Sequence, residues 1–329
     1  MKFKSIYLKA FTLLAVLVLI VGCNSSDDGG NKDDGEASGS AYPEREIEVY
    51  VPASAGGSTD ATARLATEYL KDIFGQNFVI VNQTGGGGAT AAATVDAADA
   101  DGHTLLYYHQ AIDAGHAMNQ IEQSTGDFTA LGVTGDANRV LAVLPGSGWE
   151  NLDDFVAEAK ENPGELKVGV DLGATTHMVG GMLADAADID LDFIDVGDDA
   201  DLTAALLGEQ VDMIVVGVDS VTQTDEILSL AVVGNDRDDR LPEIPTAYEQ
   251  GYDVIFPLTF AFFAPKDTPD EIVQAWEEAL EELQGNSEYV EKYADFGVAR
   301  FLTSEETAAE FEKSSKDIAN VIDTLGLAE

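Results

Sequence analysis

Ile47, Val49 and Val51 alternate with Glu46, Glu48 and Tyr50, the period-two pattern of a strand. Pro52 then ends pairing, because proline has no N–H to donate. The period changes from Thr59 to Phe74, where Ala63, Leu65, Ala66, Tyr69, Leu70 and Ile73 share one helical face and Gly75 stops the helix. Phe78 to Val81 reads as a short buried strand, Ala89 to Ala98 as a helix of very small residues, and Thr104 to Tyr108 as a third strand. Phe128 to Val133 and Arg139 to Leu144 read as further strands. A second series follows: a helix from Leu152 to Lys160, a strand from Leu166 to Val170, a helix from Met178 to Ala187 and a strand near Phe193. A helix from Asp201 to Leu207 and strands at Val211 to Val216 and Leu228 to Val233 continue it. Phe256 to Ala264 is an apolar strand, followed by helices over Asp270 to Gln284, with Pro269 at its start, and Ser304 to Leu325. Repeated strand–helix alternation argues for an α/β protein with two mixed, mainly parallel sheets flanked by helices.

Residues 42–329 are more than one core usually covers, so two lobes are expected. Pro145-Gly146-Ser147-Gly148 has hinge composition. The expected division is 42–147 plus 256–329 for the first lobe and 148–255 for the second, with two crossings making a hinge. Lys2, Lys4 and Lys9 precede an apolar run from Phe11 to Val21 that is too short for an ordinary membrane span. The run ends in Gly22-Cys23, which looks like a lipoprotein signal over residues 1–22, with Cys23 as the lipidated residue. Cys23 is the chain's one cysteine, so no disulfide partner competes with that reading. Residues 23–41 are rich in Ser, Gly and Asp and cannot bury a core, so they read as a disordered tether. The expected location is extracytoplasmic: anchored by lipid to the outer face of the cell membrane, or periplasmic.

Charge changes the picture further. The chain carries 61 Asp and Glu against 17 Lys and Arg, a net −44, yet 45% of it is hydrophobic. That is too apolar for a disordered acidic protein. The acids are spread over predicted helices and turns, which reads as a folded protein with an acidic coat suited to high salt, where self-repulsion is screened. A calcium-loaded surface is the other reading, although no acidic stretch has EF-hand order. Nucleic acid is excluded as a partner on charge grounds.

The candidate chemistry sits in two glycine turns. In Pro52-Ala53-Ser54-Ala55-Gly56-Gly57-Ser58-Thr59-Asp60, Gly56-Gly57 lets the main chain turn sharply, and Ser58 or Thr59 can cap the next helix. A helix start of this kind gathers free N–H groups at one point and holds an anion without a cationic side chain. An ordinary βα turn is the equally weighted alternative. Gly173-Ala174-Thr175-Thr176-His177 mirrors it. The run Gly85 to Gly88 is no nucleotide loop, because no Gly-Lys-Ser/Thr follows. His109 and Gln110 fall at the carboxyl end of the third strand, where open α/β sheets place ligands. His109 and His116 are spaced as two helical turns, which does not suit zinc, and core or loop histidines are the better reading. No nucleophile, base and acid set is present, so no catalytic residue, metal or cofactor is expected and a secreted hydrolase is disfavoured.

Four stretches in order carry a resemblance: Pro52 to Arg64; Val81-Asn82-Gln83-Thr84-Gly85-Gly86-Gly87-Gly88; Ala100-Asp101-Gly102-His103-Thr104-Leu105-Leu106; and Ile244-Pro245-Thr246 with Glu249 and Gly251. Together they resemble the substrate-binding proteins of tripartite tricarboxylate transporters. The resemblance implies a two-lobed periplasmic-binding-protein fold of type II character, monomeric, which closes on a small carboxylate and delivers it to an integral membrane permease. It implies ligand contacts at Ala55, Gly56, Gly57, Ser58 and Asp60 in one lobe and at Gly173, Thr175, Thr176 and His177 in the other. Asp60 is better suited to bracing its loop than to meeting a carboxylate of like charge. Where family members carry an aromatic and a lysine, this chain reads Asp195 and Val196. A receptor presenting its ligand to a membrane kinase uses the same lobes and is the alternative.

Overall fold

The computed structural model describes residues 42–222, 224–234 and 236–326. The expected leader over 1–22, Cys23 and the expected tether over 23–41 lie outside the described residues. The first strand, β1 (Ile47–Val51), buries Ile47, Val49 and Val51 completely and leaves Glu48 and Tyr50 half-buried. Each such buried side chain contributes about 1.5–3 kcal/mol. Helix α1 (Ser58–Phe74) runs back along the sheet and stops at Gly75 in the left-handed conformation. Strand β2 (Phe78–Asn82) is an edge strand beside β1, not the buried strand its apolar run suggests, and its residues are half-buried or exposed. Next come α2 (Ala89–Asp96), β3 (Thr104–Tyr108), α3 (Ala111–Ala117) and the long β4 (Phe128–Ala137). Gly88 opens α2, and a Cβ there would meet the Tyr108 ring at 2.9 Å, so only glycine lets the helix sit this close.

The first crossing between sheets is Asn138. Strand β4 ends at Ala137 in the first sheet, and β5 (Arg139–Val143) pairs only in the second. The crossing expected near Gly148, with β5 in the first lobe, is therefore corrected. One residue between two strands makes the passage, and no Pro-Gly loop is needed. Residues 145–148 are a connection within the second lobe, leading to α4 (Leu152–Glu161). That lobe continues with β6 (Lys167–Val170), α5 (Thr175–Ala187), β7 (Asp192–Asp195), α6 (Asp199–Leu207), β8 (Met213–Gly217), the short α7 (Val218–Thr222) and β9 (Leu228–Val233). The chain returns to the first sheet at β10 (Leu258–Pro265). It then forms α8 (Asp270–Gly285), α9 (Ser287–Tyr293), β11 (Val298–Ala299) and α10 (Ser304–Leu325). Helix α9 was not expected. The Asn286 side chain caps it by accepting from Glu288 and Tyr289, and it buries Tyr289 and Tyr293.

The sheet orders are β11-β4-β10-β3-β1-β2 and β7-β6-β8-β5-β9. Both are mixed. Parallel pairing holds β1 to β2 and β3, and β6 to β7 and β8, while β4, β5, β9, β10 and β11 pair antiparallel. Each sheet joins a parallel set, β2-β1-β3 or β7-β6-β8, to antiparallel neighbours on one side. Antiparallel pairing is therefore more extensive than strand–helix alternation suggests. This two-sheet architecture, with helices flanking mixed sheets, is the periplasmic-binding-protein fold.

Candidate ligand-binding site

A cavity of about 750 Å³ lies where the β1–α1 turn of the first lobe faces the second lobe. The first wall is Ala53 to Thr59. Gly56 has φ 90°, which glycine adopts freely, and its N–H donates to Asp60 Oδ2 at 2.8 Å. Asp60 is nearly fully buried and also accepts from Arg64 Nε at 2.9 Å and Asn82 Nδ2 at 2.8 Å. Burial raises the Asp60 pKa, but the bonds from Arg64, Gly56 and Asn82 outweigh burial and hold it below the usual value. Asp60 is thus a brace, and it does not line the cavity. The N-cap of α1 is Gly57, and no side chain caps the helix. Neither Ser58 nor Thr59 fills the cap role their types suggest. Both line the cavity, so the first N–H groups of α1 stay open to it.

The second wall contains two more helix starts. Helix α5 begins at Thr175 with no side-chain cap, and Ala174, Thr175 and Thr176 line the cavity. The Thr176 hydroxyl is taken up outside the helix, accepting from Asp171 N at 2.8 Å. Helix α6 differs: Asp198 Oδ1 accepts from Ala200 N at 3.0 Å and Asp201 N at 3.2 Å. Its anion position is filled by the chain itself. Between these starts lie Arg139, Asp171, Asp199 and Asp219. Arg139 Nη1 donates to Asp199 Oδ1 at 3.0 Å, and Asp199 Oδ2 accepts from Gly217 N at 3.0 Å. Arg139 Nε is buried with no acceptor. Burial raises the Asp171 pKa, helped by Asp195 and Asp198, and burial beside Asp199 raises that of Asp219.

Of the residues singled out from sequence, Ala55, Gly56, Gly57, Ser58, Thr59, Thr175 and Thr176 line the cavity. The others lie elsewhere. Gly173 is in the loop before α5, against the Gln120 side chain of the first lobe. Its N–H donates to His177 Nδ1 at 3.3 Å, and the His177 ring packs edge-on to Phe193. His109 is buried between Tyr108 and Phe260, and burial, aided by Arg139, brings its pKa down to about 3. Gln110 accepts from Thr259 N at 2.9 Å and lines a separate cavity of about 420 Å³ behind the crossings. There Arg300 joins Asp136, Thr259 and Glu310, tying the strand ends at both crossings to α10. His109 and Gln110 follow the strand-end rule in position, but burial turns them inward.

Sequence reading missed Arg139, Asp171, Asp198, Asp199 and Asp219. The one available signal was Arg139 itself, a cation opening the apolar run Val140-Leu141-Ala142-Val143 in an acid-rich chain. Among the described residues, no group of three or more His, Cys, Asp or Glu is placed to hold a metal ion. No described helix is long and apolar enough to cross a membrane.

Residues 62–327 match the family model described as "Tripartite tricarboxylate transporter family receptor". The chain belongs to this family. These are extracytoplasmic solute-binding receptors, not enzymes. A relative from Agrobacterium vitis, the "UPF0065 protein in the TAR-I ttuE-ttuC' intergenic region", is 28% identical over 87% of this chain and 86% of its own. Among solved structures, "R. palustris Rpa4515 with adipate" superposes with a TM-score of 0.77 at 26% identity, covering 87% of this chain and 98% of that one. "Structure of periplasmic binding protein BugD" gives 0.74 at 26% identity, covering 87% and 99%.

Proposed function

We propose that this receptor captures a small organic carboxylate between its lobes and delivers it to an integral membrane permease. The observation that carries the reading is the pair of uncapped helix starts, α1 and α5, opening on one cavity from opposite lobes. Each gathers unsatisfied N–H groups where a carboxylate oxygen can accept them. The relative solved with adipate supports the ligand class. Capture follows from population shift, since a ligand gripped from both sides binds the closed arrangement better. In this reading the mature chain starts at lipidated Cys23, is tethered through residue 41 and acts as a monomer at the outer face of the membrane. The first lobe spans 42–137 plus 258–329, the second 139–257, and the acidic composition suits a high-salt setting.

A thermal-shift screen in molar salt tests it, with carboxylates, amino acids and neutral sugars as arms. A ligand at 100 times its dissociation constant stabilises the fold by about 2.7 kcal/mol. Shifts confined to acids support the reading; shifts only with neutral sugars overturn it.

A further inference from the structure

In the first sheet the crossing strands β4 and β10 lie between β3-β1-β2, whose β1 leads into the first wall, and β11. In the second sheet β5 lies between β8-β6-β7, whose ends reach the second wall, and β9. The turn from α9 to β11 and the chain that follows β9 are therefore on the far side of the crossings from the cleft. There Arg240 Nη1 of the second lobe donates to the main-chain oxygen of Asp295 in the first lobe at 2.7 Å. Among the described residues, this is the one hydrogen bond that joins the lobes outside the crossings themselves.

Both ends of that bond are stiff. Asp238 is nearly fully buried and accepts from Arg240 N at 3.0 Å, Nε at 2.7 Å and Nη2 at 2.8 Å, which leaves Nη1 to reach across. A guanidinium already held in a carboxylate fork loses little further freedom on making one more bond. Asp238 also accepts from Asn138 Nδ2 at 3.2 Å, so the same acid grips the first crossing. On the other side, a Cβ on Gly297 would lie 1.9 Å from Asp136 O, so the turn that carries Asp295 is pressed against the end of β4. Neither end can follow the other when the lobes turn.

The cleft, at about 750 Å³, is of a size that takes a drug-sized ligand, so gripping a smaller molecule from both walls needs the lobes to swing closer. A swing about the crossings that narrows the cleft moves their far side apart and stretches the Arg240–Asp295 bond. We propose that Asp238, Arg240 and the Asp295 carbonyl form a latch that holds the ligand-free receptor open, and that closure on the ligand breaks it. The latch thereby tunes affinity from outside the site, because the smaller the closed fraction before binding, the weaker the apparent affinity. It needs the lobe closure of the proposed function, but not a carboxylate ligand.

Pulsed electron spin resonance on the ligand-free protein tests it. Spin labels at Thr84→Cys and Leu207→Cys, both exposed and one in each lobe on the cleft side, read the width of the cleft. The full chain carries Cys23→Ser, so that the labels take the only thiols. Arg240→Met removes the latch but deprives buried Asp238 of its cation, so Asp238→Asn with Arg240→Met is made beside it to keep a neutral, foldable site. Both should shift population from the longer distance to the shorter and raise the closed-to-open ratio about tenfold, the scale of one hydrogen bond from a charged group. Folded variants with the parent's distances, or longer ones, overturn the proposal.

Arg237→Met separates a latch from a general loosening of the second lobe. Arg237 Nε donates to Glu249 Oε2 at 2.8 Å and Nη1 to Pro242 O at 3.1 Å, both within that lobe. Its distances should match the parent's. If Arg237→Met shifts them as far as loss of Arg240 does, the effect belongs to the stability of the second lobe and the proposal is overturned. No ligand enters these measurements, so the latch and the carboxylate reading fail separately: the distances decide the first, and the thermal-shift screen decides the second.

Discussion

Each wall of the cleft has an uncapped helix start, α1 or α5, but only the second lines the cavity with charged side chains. The first is main chain: a glycine turn and an uncapped helix start, with its one acid, Asp60, turned away and fully engaged. The second adds side chains to the uncapped α5 start: one arginine and four aspartates from four separate places in the sequence, Arg139, Asp171, Asp198-Asp199 and Asp219. Main-chain N–H groups do not titrate and barely vary with sequence, so the first wall suits a feature common to every ligand of the family. Side chains titrate and mutate singly, so the second wall is where one receptor can differ from the next. The acids of the two walls also shift in opposite directions, Asp60 down and Asp171 and Asp219 up.

The strongest way to break this division is to remove the brace. Asp60→Ala leaves Asn82 Nδ2, Arg64 Nε and Gly56 N without their shared acceptor. Stability should fall by about 3 kcal/mol in denaturant unfolding, since each stranded group loses a charged partner. Acid affinity should fall with it, because the turn that aims the α1 start is no longer held. A variant as stable as the parent shows that the turn holds itself and that Asp60 is incidental.

Next in size is the Arg139–Asp199 pair. Arg139 is 12% exposed and Asp199 34%, so the pair is partly shielded from water. Asp199→Asn should cost about 1–2 kcal/mol of stability through loss of a charge-assisted bond. It should also free Arg139 Nη1 toward the cavity and tighten diacids more than monoacids. If diacids weaken instead, Asp199 positions Arg139 and does not compete for it.

How much of this was legible in the chain follows from the same contrast. The first wall is contiguous, so Pro52 to Asp60 could be read as strand, turn and helix start, and its residues fall where that reading puts them. The second wall is assembled from β5, the ends of β6 and β8, and the starts of α6 and α7, and no local pattern marks it. Asp198, Asp199 and Asp219 look like any other acid in a chain with 61 of them. Arg139 was hidden by a wrong crossing: with β5 assigned to the first sheet, its first residue had no reason to face the cleft. The crossing itself was misread because a Pro-Gly loop is conspicuous and a single Asn between two strands is not. His109 and Gln110 show the converse error, a correct position at a strand end with burial left out of account.

The opposite pKa shifts sharpen the comparison by pH. The folded value of Asp60 lies below its unfolded one. Its contribution is therefore present above the ordinary aspartate value and is lost as pH falls through the folded one. Asp171 and Asp219 are raised, so their effect is reversed: the stability tied to their protonated forms is full below the ordinary value and is lost as pH rises through the folded values. Melting temperature against pH should have its acid limb flattened by Asp60→Asn. Asp171→Asn and Asp219→Asn should remove the decline on the other side. One profile shape for all three variants would mean that the walls do not differ in this way.

The smallest expected effect comes from salt, and it separates the walls without a mutation in either turn. Raising ionic strength from 0.1 to 1 M shortens the Debye length from about 10 to about 3 Å. The net charge of −44 then repels an approaching acid less. Hydrogen bonds to the α1 start are short-range contacts and change little. Acid affinity should therefore rise with salt by a few-fold, mainly through faster association. The gain should be larger for a diacid, which carries more charge past the aspartates, than for a monoacid of the same length. In an Asp171→Asn, Asp219→Asn double variant the two gains should converge, because the wall that told the ligands apart has lost half its acids. Affinity that falls steadily with salt while the protein stays folded would mean that attraction to cations, not relief of repulsion, governs entry, and the acid wall would lose its role in choosing the ligand.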